Sequence, residues 1–127
     1  MRESYLSRTT RDYLGWLENQ GFLWWTRLNS GNLFPVGKDG KKYKVQLCEP
    51  GTFDYVIVIR ENLGNPHEDQ VCIIFWETKA TTGILSLEQW EFAKKVRAQG
   101  AICLWDITLD PLADQLQAIN PAIPRPA

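Results

Sequence analysis

The apolar positions fall into a few short periodic blocks that predict the elements of the fold. From Ser7 to Gln20, Tyr13, Leu14, Trp16 and Leu17 recur at helical spacing, and Gly21 follows where such a helix would stop. Phe22–Asn29 is rich in aromatic residues and Lys41–Cys48 alternates polar with apolar, while Gly37-Lys38-Asp39-Gly40 lies between them. These read as two strands joined in a hairpin. Tyr55–Ile59 and Val71–Trp76 are apolar at nearly every position, as central strands covered on both faces would be, and a polar loop of residues 61–70 joins them.

Ser86-Leu87-Glu88-Gln89 has the form of a capping box, with Trp90, Ala93 and Val96 carrying a helix from Leu87 to Gln99 before Gly100. Ala101–Trp105 is another apolar strand, so strand, helix and strand predict a right-handed parallel crossover. A short helix is expected from Asp110-Pro111 to Ile119, and residues 120–127 read as a frayed tail. The fold class that follows is α/β: a helix, three to four strands, a helix and a strand, with a mixed central sheet flanked by helices. A single domain is expected over residues 1–127, with its core at about 6–105 and the last helix and tail at 107–127.

Composition narrows the function only slightly. The 127 residues are 44% hydrophobic and 12% aromatic, enough for one core. Fourteen Lys and Arg against fifteen Asp and Glu leave a formal charge of −1, so a nucleic-acid role would rest on local patches and not on bulk charge. No apolar run approaches the roughly 18 residues of a membrane span, and the opening MRESYLSRTTRDYL is too polar for a signal-peptide core. The expected place is the cytoplasm. Cys48, Cys72 and Cys103 stand singly, without metal or redox spacing, and are expected to be buried reduced thiols.

The chemistry concentrates where the most apolar strand ends. Glu77 and Lys79, two apart, leave the same face of a strand and put a carboxylate beside an ammonium where burial is costly without compensation. Asp54 opens the preceding strand. If the two strands are adjacent and antiparallel, Asp54 and Glu77 converge and offer oxygen ligands to Mg²⁺ or Mn²⁺, with the backbone carbonyl of Thr78 as a further ligand. Lys79 would orient a water or stabilise charge as a phosphodiester is hydrolysed. An Asp at a strand start with an exposed Glu/Lys pair is the structural alternative, and spacing alone does not separate the two.

Gly51-x-x-Asp54, the apolar strand into Glu77-Thr78-Lys79, then Gly83-x-x-Ser86-x-x-Gln89 and Gly100 resemble, in this order, the PD-(D/E)xK nuclease superfamily and most of all its VRR-NUC (virus-type replication-repair nuclease) domains. Arg27-Leu28-Asn29-Ser30-Gly31 looks like that family's Arg-Asn-Gly segment, and the likeness covers roughly residues 6–105. The resemblance implies a restriction-endonuclease-like three-layer fold and a divalent-metal-dependent DNA endonuclease of replication, repair or recombination. Asp54 and Glu77 would be metal ligands, Lys79 the catalytic lysine and Gln89 an auxiliary polar residue. Small stand-alone members resemble phage junction resolvases, which implies branched DNA or a Holliday junction as substrate, a homodimer as the working form, and a host-cell cytoplasm if the protein is phage-encoded. Phe53 departs from the motif's usual proline. The acid common in the family's first helix is missing too: Ser7 stands near its place and Glu3 is the remaining candidate.

Other residues admit two readings. Gln89 suits both a site role and the capping box. Arg27, Asn29, Lys42 and Lys44 could contact phosphates, although a solvated hairpin explains the lysines equally well. Trp24 and Trp25 point to opposite faces, so one belongs to the core and the other to a surface or dimer interface. His67 lies in a polar loop and is expected on the surface. The rival class is a catalytically silent DNA-binding or assembly module of the same fold.

Overall fold

The computed structural model describes residues 4–28, 32–33, 35–46, 48–61 and 70–127. Helix α1 spans Tyr5–Asn19, two residues ahead of the expected start, because Ser4 caps it by accepting the Ser7 amide at 3.0 Å. Strands β1 (Trp24–Arg27), β2 (Asn32–Leu33), β3 (Val45–Gln46), β4 (Tyr55–Glu61) and β5 (Gln70–Thr78) follow, then α2 (Leu87–Ala98), β6 (Ile102–Asp106) and α3 (Asp110–Ile119). The main sheet runs β1-β4-β5-β6. Its first two pairings are antiparallel and the last, β5 with β6, is parallel. The architecture is α/β with a mixed sheet between helical layers, as expected.

The expected hairpin is corrected. β1 pairs with β4, Trp25 opposite Ile57, whereas β3 pairs with the short β2, and Val36 bridges Lys42. The reason is burial. Trp25 packs on the core and meets the Tyr55 ring at 6.0 Å, while residues 38–44 are exposed throughout and have no apolar face to lay on a sheet. The turn itself is where glycine placed it: Gly40, at φ 79°, donates to the Gly37 carbonyl at 3.0 Å.

One face of the sheet carries the larger core, where Tyr55, Ile57, Ile59, Ile74 and Trp76 meet Tyr13, Leu14 and Leu17 of α1 and Leu112 and Leu116 of α3. On the other face Phe75 and Cys103 meet Phe92, Ala93 and Val96 of α2, with Phe53 closing the layer. A single helix covers only part of that second face. Val71 and Ile73 are therefore 68% and 41% exposed, against the expectation that their strand is covered on both sides. Of the three thiols only Cys103 is buried; Cys48 and Cys72 are half-buried, and all are free.

Residues after α3 are not frayed. Ile123 is 1% exposed in the main core, the Tyr13 hydroxyl donates to the Pro124 carbonyl at 2.7 Å, and Arg125 donates to Asp114 at 2.7 Å. One buried isoleucine among prolines gives no periodicity to read, which is why the pattern missed it. No helix among the described residues is long and apolar enough to cross a membrane.

Candidate active site

The register of β4 on β5 sets Tyr55 opposite Trp76, so Asp54, one residue before β4, meets Glu77 at the far end of β5. The Asp54 amide donates to Glu77 Oε1 at 3.0 Å. In return the Thr78 hydroxyl and amide donate to Asp54 Oδ2 at 2.9 and 3.3 Å. The Asp54 carbonyl accepts the Leu28 amide at 2.6 Å, which ties the end of β1 to the same corner. On the other side Lys79 donates its amide to the Asp106 carbonyl at 2.9 Å, carrying the β5–β6 pairing one residue past the strand.

Gln89 closes the arrangement from α2. Its Oε1 accepts the Ser86 amide at 3.0 Å, the reciprocal half of the capping box, and also accepts Lys79 Nζ at 2.5 Å. Its Nε2 donates to Glu77 Oε2 at 2.7 Å, and Lys79 Nζ stands 3.4 Å from that oxygen. Lys79, Gln89 and Glu77 thus form a closed triangle, and the two readings of Gln89, cap and site residue, hold together.

Glu77 is 6% exposed. Burial pushes its carboxyl above the usual carboxylate range and the Asp54 charge pushes it further, while Lys79, the Asp54 amide and Gln89 partly oppose the shift. Two carboxylates and one ammonium, the latter paired with Glu77, meet in a partly dry corner, and a cation binding there would relieve the repulsion between the carboxylates. Two carboxylates are the oxygen donors a hard cation takes, and among the described residues no third His, Cys, Asp or Glu joins them.

Arg27 ends β1 opposite Tyr55, and its guanidinium lies 6.0 Å from the Tyr55 ring centroid, next along the chain from Asp54. Lys42 and Lys44 are exposed on the separate hairpin around β2 and β3. Asn29, Glu3 and His67 lie outside the described residues. The first turn of α1 contains no acid; Ser7 is buried there and shares a 2.6 Å hydrogen bond with the Tyr55 hydroxyl. Phe53, in place of proline, is fully buried against Phe92, with ring centroids 5.3 Å apart.

Two parts of the site had no reading from sequence. Tyr55, hydrogen-bonded to Ser7, looked like one more apolar strand residue. Gly51 opens the Gly51-x-x-Asp54 motif, and the backbone gives the reason: at φ 88°, a Cβ there would lie 2.2 Å from the Glu88 carbonyl oxygen. The loop entering Asp54 therefore rests directly on the first turn of α2, beside Gln89. No protein-family model and no characterised protein sequence matches the chain.

Proposed function

We propose that the chain is a divalent-metal-dependent DNA endonuclease of the PD-(D/E)xK kind, acting on branched DNA or a Holliday junction. The observation that supports this best is the corner itself: Asp54 and Glu77 linked by a 3.0 Å hydrogen bond, with Lys79 3.4 Å from Glu77. A surface Glu/Lys pair would be solvated, whereas here Glu77 is buried, Lys79 is half-buried, and both are held by a glutamine that also belongs to a helix cap.

Asp54, Glu77 and the Thr78 carbonyl would hold Mg²⁺ or Mn²⁺. Such an ion supplies Lewis acidity toward a phosphate oxygen and acidifies a coordinated water. Lys79, fixed by Gln89, orients the attacking water or stabilises charge on the phosphate as it is displaced. Arg27, with Asn29, Lys42 and Lys44, gives the phosphate contacts that position a strand without reading its sequence.

A junction has two-fold symmetry and calls for paired incisions, which favours a homodimer. Trp24, 53% exposed, shares a sheet face with Val58 and Ile73 through the β1–β4–β5 register and offers the apolar surface. Light scattering that finds only monomer at working concentration overturns the dimer.

The experiment for the activity is cleavage of labelled branched, flapped and linear DNA in Mg²⁺ or Mn²⁺ by the native chain, Glu77→Ala and Lys79→Ala. Structure-dependent cutting that both substitutions abolish is the expected result. Metal-independent binding with no cutting moves the assignment to a silent DNA-binding module.

A further inference from the structure

A second surface begins where the catalytic corner ends. Trp105 is the register partner of Glu77, one strand spacing of about 4.8 Å away across the parallel pairing, and its side chain faces the α2 side. Trp90 of α2 meets it edge-on with centroids 5.2 Å apart, and the Arg97 guanidinium lies 5.3 Å from the Trp105 ring centroid. Leu87, one helical turn before Trp90, is 76% exposed, and Ile84 in the preceding loop is 70% exposed. Ile107, beside which Gly83 packs, is 45% exposed. Trp90 and Trp105 are in contact, Leu87 lies one turn earlier on the same helix, and Ile84 and Ile107 sit in the segments next to α2 and β6, an apolar rim beside the corner.

We infer that this rim receives an unpaired base of the strand whose phosphate occupies the corner, so that the protein distinguishes forked or single-stranded DNA from duplex. The inference rests on the nuclease reading. Three observations select this occupant. Trp105 is the register partner of Glu77, so the rim adjoins the proposed phosphate site and lies within reach of a neighbouring nucleotide. It is an aromatic pair with an adjacent guanidinium, the chemistry on which bases stack. Its outermost members are branched aliphatic side chains, the type inserted between bases to hold a helix open. A base inside a duplex cannot reach such a surface, because its faces are already stacked.

The test is fluorescence anisotropy with a fluorescein-labelled Y-fork and a blunt duplex of equal length, with Ca²⁺ replacing Mg²⁺ so that binding is read apart from cutting. A 2-aminopurine at the fork reports unstacking. The native chain is expected to prefer the fork and to change the 2-aminopurine emission. Trp90→Ala is expected to weaken fork binding roughly 5- to 100-fold with little change on duplex, and Trp90→Phe to restore much of it. Ile84→Ser and Leu87→Ser alter exposed positions only and carry the test if Trp90→Ala folds poorly.

Equal affinity of the native chain for fork and duplex, or an unchanged fork preference in the Ile84, Leu87 and Trp90 variants, overturns the rim. So does a native dimer that Leu87→Ser converts to monomer with its DNA preference intact, which makes the rim a self-association surface. Fork preference without any cutting in Mg²⁺ or Mn²⁺ upholds the rim and overturns the nuclease reading; cutting without fork preference does the reverse.

Discussion

The Asp54 amide donates to the buried Oε1 of Glu77, so the carboxylate that would have to stay charged to hold the proposed metal is held by the backbone of the second proposed ligand. That single contact does not offset burial and the Asp54 charge, which together hold the Glu77 carboxyl above its ordinary range. A raised folded-state value means that Glu77 contributes most to stability when protonated. The contribution is complete below the ordinary carboxylate pKa and is lost as pH rises through the raised one. The metal-free native chain should therefore lose stability as pH rises from acid through the raised Glu77 value, and Glu77→Gln, which cannot ionise, should show a flatter dependence over that range. Added Mg²⁺ or Mn²⁺ should raise the native melting temperature at pH 7 and leave the variant's unchanged. Thermal melts across pH, with and without metal, check this.

Gln89 has two jobs that substitution can separate. Gln89→Leu removes the acceptor of Lys79 Nζ, the donor to Glu77 and also the acceptor of the Ser86 amide, and should slow single-turnover cleavage by about 10²-fold. Ser86→Ala removes the hydroxyl that caps the Gln89 amide and should cost about 1 kcal/mol in urea unfolding, with cleavage much less affected. Similar loss of rate in both variants would mean that Gln89 acts only through the helix.

Gly51 and Gly40 both hold positive φ, but only Gly51 lies against backbone. Gly40→Ala should cost about 1–2 kcal/mol of backbone strain. Gly51→Ala adds a Cβ that neither loop nor helix can accommodate; it should destabilise by more than Gly40→Ala and abolish cleavage, since the loop it displaces carries Asp54. Urea denaturation beside a cleavage assay distinguishes the two positions.

The Ser7–Tyr55 hydrogen bond is buried between α1 and β4. Ser7→Ala should cost about 0.5–1.5 kcal/mol, since the Tyr55 hydroxyl keeps the Ser7 carbonyl at 3.3 Å as an acceptor, and Tyr55→Phe about 1–3 kcal/mol by removing the Tyr55 partner of the buried Ser7 hydroxyl. The double variant should cost less than the sum, as a double-mutant cycle in denaturant would measure.

Much of the corner was legible because it depends on short-range rules: the two-residue strand period that aligns Glu77 with Lys79, the capping box that fixes Gln89, and the apolar runs that force β4 and β5 together. What was not legible depends on partners distant in sequence. Nothing local says that Trp25 should lie against Tyr55 and draw β1 away from the hairpin lysines, or that Ile123 should return to the core. The exposure of Val71 and Ile73 was hidden for the same reason, since an apolar strand looks alike whether one helix or two lie across it.

The Lys79 amide is held by Asp106, and its ammonium by Gln89. A nascent chain of eighty residues already contains Asp54, Glu77 and Lys79, yet it has neither the strand that extends the lysine's backbone nor the helix that fixes its side chain. Whatever chemistry the corner performs is thereby postponed in time: its geometry is complete only after α2 and β6 have been made and docked.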